Sequence, residues 1–294
     1  MKKYFNLIIY LSFIFLLVFL IRQDYVRPRF REPLFLAASL VFLFGGFFLS
    51  AVSWQQALRV HGVRIPLKTA VISHGQAIFS KYIPGKIWVI LGRAGYISGD
   101  RKSMGMNSFI SLKEQMVYVW DGLVISTVPT FIFYGFKWFT LMVAGITLAL
   151  TLVLFSARIH DLTFRILGRI MKKKLEFPVI RFREALPMIL YTSLIWLSWS
   201  AGFLLFSFSL SGDTKAVMAF SFPLSVSLGV MALIMPGGLG VRESVITGYL
   251  ILCGMGTEDA ATVSMMSRFW FMAGEVFIFI TALIVGKLRR KQPE

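Results

Sequence analysis

Cysteine is nearly absent: Cys253 is the single one in 294 residues. One thiol cannot close an intramolecular disulfide or build a cysteine metal cage, and apolar neighbours make it packing material. Histidine is almost as sparse. His61, His74 and His160 lie far apart, none with a second ligand at helical spacing, so no metal site is expected. No glycine-rich phosphate loop follows a strand and no serine elbow occurs, which argues against nucleotide-driven work by this chain. No cofactor is expected.

Acidic residues are also scarce, 14 against 31 basic ones, for a formal charge of +17. In a soluble chain that balance points to nucleic acid. Here no nucleic-acid partner is expected, because 57% of residues are hydrophobic, 15% are aromatic and the mean hydropathy is +0.74, well above the roughly 45–50% apolar share of soluble domains. The expectation is an all-α polytopic membrane protein. Eight apolar runs are read as spans, at residues 4–21, 34–58, 108–133, 138–156, 185–210, 216–234, 244–253 and 260–286. Most of them meet the ~20 residues that a bilayer requires. The run 4–21 lacks a small-residue cleavage site and leads into Arg22, Arg27 and Arg29, so it is taken as a retained span rather than a signal peptide.

Basic residues gather at one set of helix ends: Lys2 and Lys3; Arg59, Arg64 and Lys68; Lys81 to Lys102; the stretch 158–183; and Lys287 to Lys291. The positive-inside rule therefore places both termini in the cytoplasm, in the cytoplasmic (inner) membrane. The arginines between residues 20 and 32 run against the rule locally, as a solvated loop or as holders of lipid phosphate on the outer face.

The chain is read as one integral membrane domain, residues 1–294, in two halves, about 1–157 and 184–288, joined by the basic loop 158–183. Each half holds a flexible, charged interruption after its second span. In the first it is Lys81-Tyr82-Ile83-Pro84-Gly85-Lys86; in the second it is Pro236-Gly237-Gly238-Leu239-Gly240-Val241-Arg242-Glu243. Proline and glycine cannot hold a regular helix, and irregular backbone at membrane depth is tolerated only where it lines a protein cavity. Paired Gly/Pro breaks at matching positions point to a midplane site at a repeat interface. Pro84 and Gly85, and Pro236, Gly237, Gly238 and Gly240, are the expected re-entrant turns or hinges. The stretch 67–97 is expected as a re-entrant hairpin, with an amphipathic interfacial helix as the alternative. An even number of spans separates the halves, so they are expected to be parallel, with both breaks toward the cytoplasm.

Few ionisable residues lie inside the apolar runs. Glu114 and Asp121 are seven apart, as are Arg268 and Glu275, and seven residues make about two turns, so each pair shares one helix face. With Lys113, Arg242 and Glu243, they are expected to face the bundle and to pair there. Arg242 and Arg268 suit an anionic head group, because a guanidinium takes phosphate bidentately and a broken helix offers free backbone N–H groups. The tryptophans are taken as belt or core residues.

The run Pro236-Gly237-Gly238-Leu239-Gly240-Val241-Arg242-Glu243, followed by Gly254-Met255-Gly256, Ala260, Arg268 and Gly286, resembles the lysylphosphatidylglycerol synthase transmembrane region, a flippase-like family. Tyr82-Ile83-Pro84-Gly85-Lys86, Gly92-Arg93 and Glu114 extend the resemblance into the first half. Where many members carry an acidic residue after the first Pro-Gly turn and an Arg after Glu, this chain has apolar residues and Gln115. The resemblance implies a non-enzymatic lipid flippase or scramblase, with lipid held by Arg242, Arg268, Glu243, Glu275, Glu114, Arg93 and Lys86. Its cargo would be an anionic or aminoacylated phospholipid, or a polyprenyl-linked lipid. No soluble aminoacyltransferase domain is expected, because only eight residues follow Gly286. Two rivals stay open: an intramembrane transferase using Glu114, Asp121 or Glu243 as base, and a scaffold for a separate synthase or glycosyltransferase. A homo-oligomer is also left open.

Overall fold

The computed structural model describes residues 30–82, 87–171, 182–232 and 238–290. The run 4–21, the turn residues Pro84, Gly85, Pro236 and Gly237, and Lys86 lie outside them. The described elements are helical: α1 (Pro33–Val60), α2 (Leu67–Ala77) running into a 3-10 turn (Ile78–Tyr82), α3 (Trp88–Ile97), α4 (Arg101–Tyr134), α5 (Trp138–Phe155), α6 (Ala157–Met171), α7 (Phe182–Leu210), a second 3-10 turn (Ala216–Phe220), α8 (Ser221–Met231), α9 (Val241–Leu252) and α10 (Thr257–Arg290). No strand occurs among the described residues, in line with the all-α expectation.

Local chemistry sets several of these boundaries. Pro33 opens α1, where its missing N–H costs nothing. Asp100 caps α4 by accepting the Ser103 N–H at 2.7 Å, while the Ser103 hydroxyl accepts the Asp100 N–H at 3.2 Å. The Ser103 N–H also holds the Asp100 carboxyl below its usual range. Gly135, at φ 60°, ends the same helix. The basic stretch expected as a loop at 158–183 begins as helix α6, whose strong amphipathicity, with Arg158, Arg165 and Arg169 on one face, is the pattern of an interfacial helix.

Five helices, α1, α4, α5, α7 and the span Thr257–Leu288 within α10, are long and apolar enough to cross a membrane. The runs expected as spans at 216–234 and 244–253 hold helices that are each too short to cross it, 11 and 12 residues. They form the limbs of a hairpin, α8 and α9, with α9 only 12 residues long, or about 18 Å of helix against a hydrocarbon core of ~30 Å. The limbs meet at their bases, where Lys215 Nζ donates to the Cys253 carbonyl at 2.7 Å. They meet again at the tip, where Gly229 packs against Gly238 and the Arg242 stem. α2 and α3 make the matching hairpin, with Ala77 against Gly92.

The longest seam joins α1 to α7. Small and polar residues let the backbones approach: Ser198 Oγ donates to the Phe42 carbonyl at 2.7 Å and Trp199 Nε1 to the Leu43 carbonyl at 3.1 Å. Gly46 lies under the Trp199 indole, and Gly202 against the Ser39 carbonyl. Such contacts replace the hydrophobic drive that is missing between helices in lipid. The Arg31 N–H bonds Ser209 at one end of the seam, while Gly46 meets Trp199 farther along it, so α1 and α7 run antiparallel.

That polarity corrects the expected parallel halves. The unit seen twice is long helix, short helix, break, short helix, long helix: α1 to α4, and α7 to α10. With α1 and α7 antiparallel, the two units are inverted. The first hairpin starts from the end where α1 finishes. The second starts from the opposite end, where Ser211 donates to Asp259 at 2.5 Å. The hairpins therefore enter from opposite ends, not from one side as expected, and each packs on the other unit's long helix, α2 on α10 and α8 on α4.

Candidate functional site

The two hairpin tips converge on a cavity of about 380 Å³ in the middle of the bundle, within the size range of small-molecule sites. Its walls come from every layer: Phe47 and Ser50 of α1, His74 and Lys81 of the first hairpin with Arg93 on its second limb, Glu114 and Tyr118 of α4, Trp199 of α7, Gly229 and Arg242 of the second hairpin, and Phe271 of α10. Most of the wall is apolar, so the charged groups on it are few and each has a definable state.

Arg93 and Glu114 form a closed pair. Arg93 Nη2 reaches Glu114 Oε2 at 2.5 Å and the Ser111 carbonyl at 2.8 Å, and Nε reaches Ser111 Oγ at 2.5 Å. Its guanidinium carbon also lies 4.4 Å from the Trp54 ring centroid. Ser53 donates to the second Glu114 oxygen at 2.8 Å. Both residues are more than nine-tenths buried, so the pair fastens α3 and α1 to α4.

Glu275 sits midway along α10 with 1% exposure. It accepts from Lys81 Nζ and from the Tyr82 hydroxyl, both at 2.5 Å, which pins the first hairpin tip to α10. Glu243 serves the second hairpin. One oxygen accepts the Gly240 N–H at 2.7 Å and the other faces Arg268 Nη1 at 3.3 Å. Arg268 does not line the cavity; it braces α9 from behind. Asp121 accepts from Thr192 and Ser193 of α7, and Lys113 meets His61 at 3.1 Å. All four members of the pairs spaced seven apart are buried, as their shared faces require. They face four different partners.

Arg242 differs from all of these. It is 6% exposed, yet its Nε has no hydrogen-bond partner and no carboxylate among the described residues lies within ion-pair distance. Its guanidinium carbon rests 4.9 Å from the Phe271 centroid and 5.6 Å from that of Phe222. Rings stabilise a cation by about 1–2 kcal/mol, far less than losing water costs it. An anion in the cavity would complete the site.

The model of the family described as lysylphosphatidylglycerol synthase TM region matches residues 4–273. The chain belongs to that family. No curated protein matches it. The family match takes in both hairpins, Arg242, Glu243 and Arg268, and stops two residues short of Glu275.

Of the seven residues expected to hold lipid, Arg242, Glu114 and Arg93 line the cavity, Glu275, Glu243 and Arg268 do not, and Lys86 lies outside the described residues. Among the residues that sequence reasoning left out of the site are His74, both of whose ring nitrogens are buried without partners, Tyr118, and Lys81, which counted as a terminal cation and as the start of the first interruption. The spacing of His74, Ile78 and Lys81, one stripe on a helix face, was the available signal.

Gly238 carries a local prediction. It adopts φ 70°, and a Cβ there would stand 3.0 Å from the Gly229 Cα. Gly238→Ala should therefore splay the hairpin limbs, destabilise the protein by about 1–3 kcal/mol and displace Arg242. A thermal unfolding midpoint equal to that of the wild type would refute it.

Proposed function

We propose that the protein moves an anionic phospholipid, or a polyprenyl-linked lipid phosphate, between the leaflets of the cytoplasmic membrane. It acts as a flippase or scramblase without covalent chemistry. The observation that carries this is the buried Arg242, with no carboxylate partner among the described residues, facing a mostly apolar cavity between two re-entrant hairpins: a fixed cation for a phosphate, with greasy walls for the rest of the lipid. Membership in a family named for a lipid synthase's membrane region supports the lipid class. Synthesis of the cargo falls to a separate synthase or glycosyltransferase. The cytoplasmic face is the end that carries Arg59, Arg64, Lys68, Arg101, Lys102 and Lys287, following the positive-inside rule.

The test is leaflet exchange of a fluorescent phosphatidylglycerol in proteoliposomes, read by chemical quenching of the outer leaflet. Exchange faster than in protein-free vesicles is expected, with a zwitterionic analogue exchanging less. No acceleration, together with altered lipid products on mass spectrometry of cells lacking the protein, would sink the proposal in favour of a transferase.

A further inference from the structure

We infer that Lys81 is a second phosphate-binding residue, held in reserve by Glu275, and that an anion reaching Arg242 takes Lys81 over from that carboxylate. This rests on the proposed lipid site and names how the site is kept ready while empty. Lys81 and Arg242 come from the tips of hairpins that enter from opposite ends, and both converge on Phe271. Lys81 Nζ lies 5.2 Å from the ring centroid and the Arg242 guanidinium carbon 4.9 Å. Both side chains line the same cavity. A phosphate offers several acceptor oxygens, so one anion can bridge two cations placed this way.

The remaining charges on the wall are not available for this. Arg93 is spent on Ser111, Glu114 and the Trp54 ring, and a planar guanidinium gripped at several points does not swing. Lys81 has one carboxylate partner, a flexible four-carbon stem and a side chain 26% exposed, against 1% for Glu275. The lysine can turn into the cavity while the carboxylate stays in the wall. Glu275 is not abandoned when this happens, because the Tyr82 hydroxyl still donates to it at 2.5 Å. Lys81 needs an anion at every stage in a low-dielectric setting, and Glu275 supplies it until the phosphate arrives. Binding then joins the two inverted hairpins through one ligand, which ties head-group capture to the relative position of the tips. A zwitterionic head group, carrying its own cation, exchanges for Glu275 less well.

The experiment measures binding of a fluorescent phosphatidylglycerol to the full chain in phosphatidylcholine nanodiscs, with inorganic phosphate as competitor. Lys81→Met is expected to weaken binding about tenfold, on the order of one charge-assisted hydrogen bond. Glu275→Gln, which removes the competing charge and keeps an acceptor for Tyr82, is expected to tighten it severalfold. In the Lys81→Met background the same Glu275→Gln change should do nothing. Equal tightening with and without Lys81 would mean that Glu275 acts as a remote charge, and would overturn the exchange of partners. Binding that depends on Arg242 but ignores Lys81 overturns the inference and leaves the proposed function standing; a wild type that neither binds nor exchanges lipid overturns both. Displacement by equimolar inorganic phosphate would identify a soluble-anion site and overturn the lipid assignment. Should Lys81→Met fail to fold with Glu275 unpaired, the neutral pair Lys81→Met/Glu275→Gln compared with Glu275→Gln alone reads the same lysine effect.

Discussion

Glu114→Leu should be the most destabilising single substitution in the site, lowering stability by about 3–5 kcal/mol, because it leaves a buried guanidinium without its carboxylate. Arg93 is 2% exposed, so water cannot replace the lost partner. The Ser111 contacts and the Trp54 ring remain, but they are neutral groups and offset only part of the desolvation. Ser53 loses its acceptor as well. Glu114→Gln should be milder, since an amide oxygen still accepts from Ser53 or Arg93. The double replacement Arg93→Leu/Glu114→Leu should recover most of the loss, as apolar substitution of a whole buried pair is often close to neutral. Unfolding in mixed micelles titrated with denaturing detergent measures all three. Equal stability of Glu114→Leu and wild type would mean that the pair is solvated, contrary to its burial. The double-mutant comparison also separates architecture from transport: if the pair only fastens α3 and α1 to α4, the apolar double variant keeps lipid exchange, whereas a head-group role for either residue would abolish it.

The contrast between these charges and their neighbours also explains what was legible in the sequence. Long helices were, since their apolar runs exceed what a soluble domain carries, and so were the breaks, since Pro-Gly pairs cannot propagate a helix. That Glu114, Asp121, Arg268 and Glu275 face inward followed from their spacing and the cost of charge in lipid. Which cation meets which anion did not follow. Glu275 pairs with Lys81 rather than with an arginine, and Glu243 with Arg268, because α2 packs on α10 and α9 on α10. That is a property of tertiary packing which no spacing along one helix encodes. The relative sense of the two units was hidden for a related reason. Limb α8 is almost wholly buried, so its run is as apolar as a span needs to be, and counting the two limbs as two crossings leaves the parity of the topology unchanged while misplacing the hairpin. Only the antiparallel contact of α1 with α7 reveals the inversion.

Arg242→Gln is expected to have the opposite profile to Glu114→Leu: near-normal stability with anionic lipid exchange reduced on the order of 100-fold. The stability expectation follows from the absence of a carboxylate partner among the described residues. Removing the cation orphans nothing, relieves the desolvation of a buried charge, and forfeits only the contacts with Phe222 and Phe271, together about 1–2 kcal/mol. The transport expectation follows from what the cavity then lacks. Lys81 and Arg93 are both already engaged with carboxylates, so a phosphate entering the variant must displace an internal anion without a free cation to receive it. Loss of a bidentate, charge-assisted contact weakens binding by about 2–3 kcal/mol, close to two orders of magnitude. Arg242→Lys should fall between, near tenfold, since charge is kept but the planar fork is lost. Initial exchange rates of fluorescent phosphatidylglycerol at sub-saturating lipid, beside thermal unfolding of the same preparations, make the comparison. Unchanged exchange in Arg242→Gln with intact folding would remove Arg242 from the mechanism, and with it the reason for an unpaired guanidinium to remain in the middle of the bundle.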